Sequence, residues 1–328
     1  MITILILVII NLLIFLNIER INRVFNIYDT PNKKRKIHKN KIANTGGIII
    51  FFNLLLIYFF NLTLDNFYEI PNNLNLNLIF FGLISFFLLG LFDDIYDLNP
   101  NLKLFLSSLF ILIVILNEND LLIETLRFSF IQHEINLKSF SIPFTLLCIL
   151  LFINAINMFD GINLQTILYS SLLLISNFIL SQNYILILYI VPILIFMMIL
   201  NYKDIIFLGD SGTLLLGFLL SCIFIINYNS FIIQYSDTIF IFMMLPGLEL
   251  LRLAISRGLK KRNPFSADKM HIHHLLLIKY PYNKVIIINF IMVLLPIMIV
   301  FFTNLNSFLI ILLFILIYVT LIYQISKH

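Results

Sequence analysis

Apolar residues run through this chain in blocks of about 16–20, the length needed to cross a hydrocarbon layer roughly 30 Å thick, and short polar stretches separate them. The pattern predicts eleven spans, at 2–17, 46–62, 78–92, 102–117, 142–156, 164–180, 184–200, 212–228, 238–255, 285–303 and 307–325. Two polar loops are long, 18–45 and 256–284. The first block lacks a basic start and a small-residue cleavage site, and further spans follow it, so it is expected to be a membrane helix and not a signal peptide. Segment 118–141 alternates polar and apolar residues, as a small surface hairpin would, and His133 within it is expected to be solvated. The predicted fold is therefore an all-α polytopic membrane protein, one domain over residues 1–328.

Composition sharpens this picture. With 61% hydrophobic and 12% charged residues and a mean hydropathy of +1.02, a soluble globular domain is excluded. Cys148 and Cys222 lie inside apolar spans and serve packing, with no disulfide framework. Ile, Asn, Lys and Phe are so abundant that a single Asn or Lys carries little information.

Orientation follows from the basic residues, which collect on the cytoplasmic side. With the N-terminus outside, all but Arg127 and Lys138 of the 21 Lys and Arg residues fall inside. The odd-numbered spans then end in the cytoplasm, and four polar sequences stand at those ends: FDDIYD at 92–97, NAINMFDGIN at 154–163, FLGDSG at 207–212 and DKMHIHH at 268–274. Ionisable groups are expensive at a bilayer and mark function there, so the four are expected to form one site.

Asp93, Asp94 and Asp97 stand at i, i+1 and i+4, which on a continuing helix puts Asp93 and Asp97 on one face. Three carboxylates so close need a cation, and hard divalent ions such as Mg²⁺ take such ligands together with substrate phosphates. A solvated acidic loop is the plainer alternative. Asn154, Asn157 and Asp160 repeat at three-residue intervals before Gly161, and their oxygens suit a metal–phosphate or nucleobase site; helix capping by abundant Asn is the alternative. Asp210 lies between Gly209 and Gly212, where helix N-terminal amides could meet an anion, or where Asp and Ser simply cap a helix. His271, His273 and His274 follow a basic run that includes Arg262. No cysteine or well-spaced carboxylate completes a zinc tetrahedron, and phosphate binding fits better. A basic loop against anionic lipid would explain the Lys and Arg residues but not the histidines. His38, in the first basic loop just before Gly46 and Gly47, is open to the same two readings.

In this order, DDxxD, NxxNxxDG, GDSG and HxHH resemble the polyprenyl-phosphate N-acetylhexosamine-1-phosphate transferases of glycosyltransferase family 4, relatives of the phospho-MurNAc-pentapeptide translocase. The resemblance runs from about Asp29 to Leu277, and NPFSADKMHIHHLL is similar to the branch that initiates O-antigen and teichoic acid. Three positions depart from the pattern: Ala43-Asn44, Asn163-Leu164 and Glu249, the last where Asp is common.

The resemblance implies transfer of an N-acetylhexosamine 1-phosphate from a UDP-sugar to polyprenyl (undecaprenyl) phosphate at the inner face of the bacterial cytoplasmic membrane. The lipid-linked product initiates cell-envelope glycan synthesis. Mg²⁺, with Mn²⁺ as the alternative, would sit on Asp210 and Asn157. Asp93, Asp94, Asp97 and Asp160 form the catalytic set, and Asn154, Gly161, Arg262, His271, His273, His274 and His38 the substrate-binding set. The partners implied are the nucleotide sugar, the lipid phosphate and membrane lipid; nucleic acid is not among them, and a homo-oligomer is compatible with the sequence. Rival readings are a membrane prenyltransferase, which would lack GDSG and the histidine motif, and a transporter, whose acids would lie near the bilayer midplane.

Overall fold

In hydrocarbon every backbone polar group must be satisfied within its own segment, so apolar blocks of this length fold as helices. The computed structural model describes residues 2–31, 40–63, 75–261, 270–303 and 305–326. In order these form α1 (Ile2–Leu16), α2 (Ile18–Phe25), β1 (Tyr28–Asp29), β2 (Ile42–Ala43), α3 (Gly46–Thr63), α4 (Leu76–Tyr96) and α5 (Pro100–Asn117). There follow β3 (Thr125–Leu126), β4 (Ile135–Asn136), α6 (Ser141–Phe159), α7 (Gln165–Leu180), α8 (Tyr184–Tyr202) and α9 (Gly209–Asn229). The chain continues through α10 (Ser236–Phe242), α11 (Met244–Leu259), α12 (Ile272–Lys279), α13 (Tyr282–Phe302) and α14 (Ser307–Ser326).

This is an all-α, multi-pass membrane architecture. Among the described residues six helices are long and apolar enough to cross a membrane, and two bent pairs raise the number to eight. Three more apolar helices, Gly46–Leu62, Gln165–Leu180 and Leu186–Tyr202, are shorter. The span expected at 238–255 is not continuous. It breaks at Met243 into α10 and α11, bent by 83°. Pro246 falls in the first turn of α11, where its missing N–H has no intrahelical partner to lose.

The middle of the bundle is α9, with α4, α6 and α3 packed around it. Ser211, Gly212, Thr213, Gly217 and Ser221 are all buried along α9, and such small residues let helix backbones approach closely in a membrane. Phe86 of α4 stacks on Phe218 of α9 with ring centroids 4.8 Å apart. Buried amides find each other across helices: Asn11 and Asn53 exchange two hydrogen bonds, of 2.7 and 3.1 Å, between α1 and α3. Cys222 is buried and Cys148 half-buried, both as free thiols.

Two small hairpins flank the helices. Segment 118–141 pairs β3 with β4, and His133 is exposed within it. Arg127 closes that end of the bundle, its guanidinium 4.2 Å from the Tyr228 ring centroid and 3.9 Å from that of Phe231. At the other end β1 pairs with β2. The Ala43 carbonyl then accepts from Phe207 N–H at 2.8 Å, while Gly46 and Gly47 N–H groups donate to the Phe207 and Leu208 carbonyls. The segment before α3 is thereby fastened to the α8–α9 connection, where the polar motifs gather.

Candidate active site

The ends of α4 and α6 and the starts of α9 and α12 meet at one end of the bundle. Asp93 and Asp94 occupy the last turn of α4. Asp93 is held twice, by Leu98 N–H on Oδ1 at 2.8 Å and by the Lys103 ammonium on Oδ2 at 2.6 Å. Lys103, in the first turn of α5, also reaches Asp210 Oδ2 at 3.0 Å. The other oxygen of Asp210 accepts from Asn157 Nδ2 at 2.7 Å, and the same amide donates to Thr213 Oγ1 at 2.9 Å. One lysine and one asparagine thus join the first, second and third motifs through Asp210.

Asp94 has a different place. Its oxygens accept from the backbone N–H groups of Asp210 and Ser211 at 2.9 and 3.0 Å, and from Asn44 Nδ2 at 3.2 Å. A carboxylate from α4 therefore caps the positive end of α9. The helix N-terminal amides expected to be available to a substrate anion already have this carboxylate. Gly209 makes the approach feasible: its φ is +70°, and a Cβ there would lie 2.6 Å from Asp94 Oδ2.

Other sequence-predicted positions fall outside this hydrogen-bonded group. Asp97 does not share a helical face with Asp93, because α4 ends at Tyr96 and Asp97 turns into the left-handed region with φ +53°. Asp tolerates that conformation as a helix terminator; the Asp97 N–H caps the Asp93 carbonyl and its side chain is exposed. Asn154 turns its amide back to the Leu150 carbonyl of its own helix at 2.7 Å. Asp160 ends α6 with a side chain that still reaches solvent. The protein packed around it, with the negative charges of Asp210 and Asp94 adding, raises its carboxyl above the ordinary carboxylate range. His38 and Arg262 lie outside the described residues.

The fourth motif comes in against the second. His273 is 1% exposed, and its ring lies where a Cβ on Gly161 would be, 1.8 Å from Nε2. Neither of its ring nitrogens has a hydrogen-bond partner among the described residues. His271 stacks on His273 with centroids 5.3 Å apart, and His274 is 4.4 Å away on a tilted plane. Burial first, then the neighbouring imidazoles, hold His273 well below the ordinary histidine value of 6.5, so it is neutral near pH 7.

The hard oxygens of Asp93, Asp210 and Asn157 are of the kind that suits Mg²⁺. An ammonium already bridges two of these carboxylates, a geometry that calls for positive charge between them. No group of three His, Cys, Asp or Glu side chains with metal-ligand geometry occurs among the described residues. Substrate oxygens would have to complete any shell, as they commonly do for this ion. Sequence reasoning missed Lys103, Asn44 and Thr213. Lys103 did carry a signal, an ionisable residue at the edge of an apolar span, but it was counted only for orientation.

The sequence model of glycosyl transferase family 4 matches residues 76–228, from α4 through α9 and so through three of the four motifs. The undecaprenyl-phosphate alpha-N-acetylglucosaminyl 1-phosphate transferase of Salmonella typhi is 26% identical over 263 residues, covering 76% of this chain and 69% of that one. The like-named protein of Thermotoga maritima is 27% identical over 250 residues, with 75% and 71% covered. That of Escherichia coli K12 is 24% identical over 271 residues, with 79% and 71% covered. Similarity of this extent, over motifs that the fold draws to one end of the bundle, leads to one conclusion: from α4 through α9 the chain is similar to glycosyl transferase family 4.

Proposed function

We propose that this protein transfers an N-acetylhexosamine 1-phosphate from a UDP-sugar to undecaprenyl phosphate. An oxygen of the lipid phosphate attacks the phosphorus that carries the sugar. A new phosphoanhydride bond forms, the bond to the nucleotide's own phosphorus breaks, and UMP leaves with the electron pair. UDP-N-acetylglucosamine is the first donor to test, since the relatives are named for its sugar. The observation that carries this reading is the linkage of Asp210 to Asp93 through Lys103 and to Asn157 directly.

Two phosphorylated reactants repel each other, and charge spreads over phosphoryl oxygens in the transition state, so fixed positive groups should supply most of the catalysis. Mg²⁺ bound by Asp210, Asp93 and the Asn157 amide oxygen would neutralise diphosphate charge. Lys103 holds Asp93 and Asp210 together and brings its own charge beside the reacting phosphates. Of these two carboxylates Asp210 is the more open, its side chain 35% exposed against 8% for Asp93, which favours it as the group that meets substrate. Asp94 orders the start of α9, and the histidine segment covers Gly161 from the nucleotide side. In this reading the three shorter apolar helices also cross the membrane, beside the six long helices and the two bent pairs. With the basic residues inside, the site faces the cytoplasm, where the nucleotide sugar is.

Purified protein in detergent should release UMP from UDP-N-acetylglucosamine only when undecaprenyl phosphate is present, and chelation of divalent ions should stop it. Asp210→Asn should lower the rate by about 10²–10³, as loss of one such electrostatic group does elsewhere. UMP release that ignores the lipid phosphate, or an Asp210→Asn protein of near wild-type rate, would overturn the proposal.

A further inference from the structure

Glu249 is 3% exposed in α11, and its contacts extend well beyond its own helix. Its carboxylate accepts from Arg252 Nη2 and Nε at 2.7 and 3.2 Å and from the Tyr318 hydroxyl of α14 at 2.5 Å. It also accepts from the backbone N–H of Ile272, in the first turn of α12, at 2.7 Å. Arg252 completes a ring of contacts by donating to the Tyr318 hydroxyl at 2.9 Å and to the Met270 carbonyl. Met270 and Ile272 flank His271. One buried ion pair therefore grips the main chain on both sides of the first histidine, whose Nδ1 stands 3.9 Å from Glu249 Oε1.

The chemistry suits placement more than stability. A buried ion pair contributes little to folding compared with apolar side chains of the same volume. Arg252 presents a planar fork that fixes direction as well as charge. Glu249 takes up one of the orphan amides at the start of α12 and lies at the positive end of that helix. On its other side the segment is fixed by His273 against Gly161. Between these two fixed points the three imidazoles have little freedom.

From this arrangement we infer that Glu249 and Arg252, with Tyr318, are positioning residues for the histidine segment. They set its affinity for the phosphate-bearing soluble substrate and leave the lipid phosphate unaffected. The inference rests on the transferase reading in assigning that substrate, and its structural half stands apart from it. Glu249→Ala should raise the apparent KM for the UDP-sugar by about tenfold or more, the effect of losing hydrogen bonds to a charged group. Its KM for undecaprenyl phosphate should stay within about twofold, a change too small to represent a lost hydrogen bond. Glu249→Gln keeps the volume and an acceptor oxygen and should recover most of the loss. Arg252→Lys keeps the charge without the fork and should show the same split in milder form.

Hydrogen–deuterium exchange over 270–276, with no substrate present, gives the independent readout. In Glu249→Ala the Ile272 amide should exchange faster by about tenfold or more, since its acceptor is gone. Equal KM changes for both substrates, a change in kcat alone, or unaltered exchange at Ile272 would each overturn the inference. A wild-type protein without transferase activity would defeat the proposed function, and the exchange experiment would then decide the clamp by itself.

Discussion

The contact between Gly161 and His273 joins two motifs more than a hundred residues apart, and it can be tested by filling it. A Cβ at position 161 would lie 1.8 Å from His273 Nε2 and 2.1 Å from Cε1, where ordinary contact begins at 3.4 Å. Ring or backbone must give way by more than an ångström. The ring has little room to turn, with His274 at 4.4 Å and His271 at 5.3 Å between centroids. Overpacking of this kind costs about 1–3 kcal/mol, so Gly161→Ala should lose that much stability. His273→Ala removes the ring and leaves a cavity, at about 2–3 kcal/mol for a side chain of this burial. In the double variant the new methyl enters the vacated space, so its loss should be no greater than that of His273→Ala alone. The coupling between the sites is then about 1–3 kcal/mol, well above the few tenths expected of independent positions. The chain has no Trp, so a thiol-reactive dye on Cys222, 1% exposed in α9, is a suitable probe of thermal unfolding in detergent. Strictly additive losses would mean that the histidine segment does not pack on the second motif.

Three further predictions follow from the same geometry. Lys103→Met strips Asp93 of a buried partner at 2.6 Å and should cost about 3–5 kcal/mol, the half-open Asp210 contact adding at most about 1 kcal/mol. Adding Asp93→Asn should restore much of this, and an unchanged unfolding midpoint in Lys103→Met would refute the bridge. Asp94→Asn should lower the unfolding midpoint as well as activity, because it weakens the cap on α9, by about 1–2 kcal/mol, whereas Asp210→Asn should act mainly on activity; equal midpoints for Asp94→Asn and wild type would count against the cap. His273 is held neutral well below 6.5, so the unfolded chain binds the extra proton, and stability should fall as pH drops below about 6.5, by at most about 1.4 kcal/mol per unit. Stability of His273→Ala should fall less steeply between about pH 7 and 5, and parallel slopes would refute the burial argument.

The apolar helices were legible because hydrocarbon demands unbroken apolar length, and ten of the expected apolar segments coincide with α1, α3, α4, α5, α6, α7, α8, α9, α13 and α14 to within a few residues, though α3, α7 and α8 are shorter than the helices long enough to cross. The ninth was legible only as hydropathy. Its break at Met243 depends on how α10 and α11 pack, and Pro246 marks the neighbourhood of the bend without specifying 83°. Periodicity likewise carried the Asp-rich helix one residue too far. Asp97 belongs to the turn, and nothing in the i, i+4 spacing says where a helix stops.

The site was legible as a set of motifs but not as a set of roles, because roles depend on what each carboxylate already touches. By sequence Asp93 and Asp94 are neighbours of equal standing. In the fold, Asp94 points at the amides that begin α9 and its oxygens accept three N–H groups. Asp93 shares a lysine with Asp210. Lys103 could not stand out in a chain with 21 basic residues, since counting charges locates a loop relative to the membrane and says nothing about which way an ammonium faces. Glu249 was visible only as a departure from a family pattern; its partner Tyr318 is 69 positions away, beyond any local periodicity. The first and third motifs are therefore one structural unit, α4 capping α9, and the second and fourth are another, Gly161 receiving His273. The linkage of Asp210 to Asn157 ties the two units together, so a change at that hydrogen bond should disturb both halves of the site while a change at either cap begins in one.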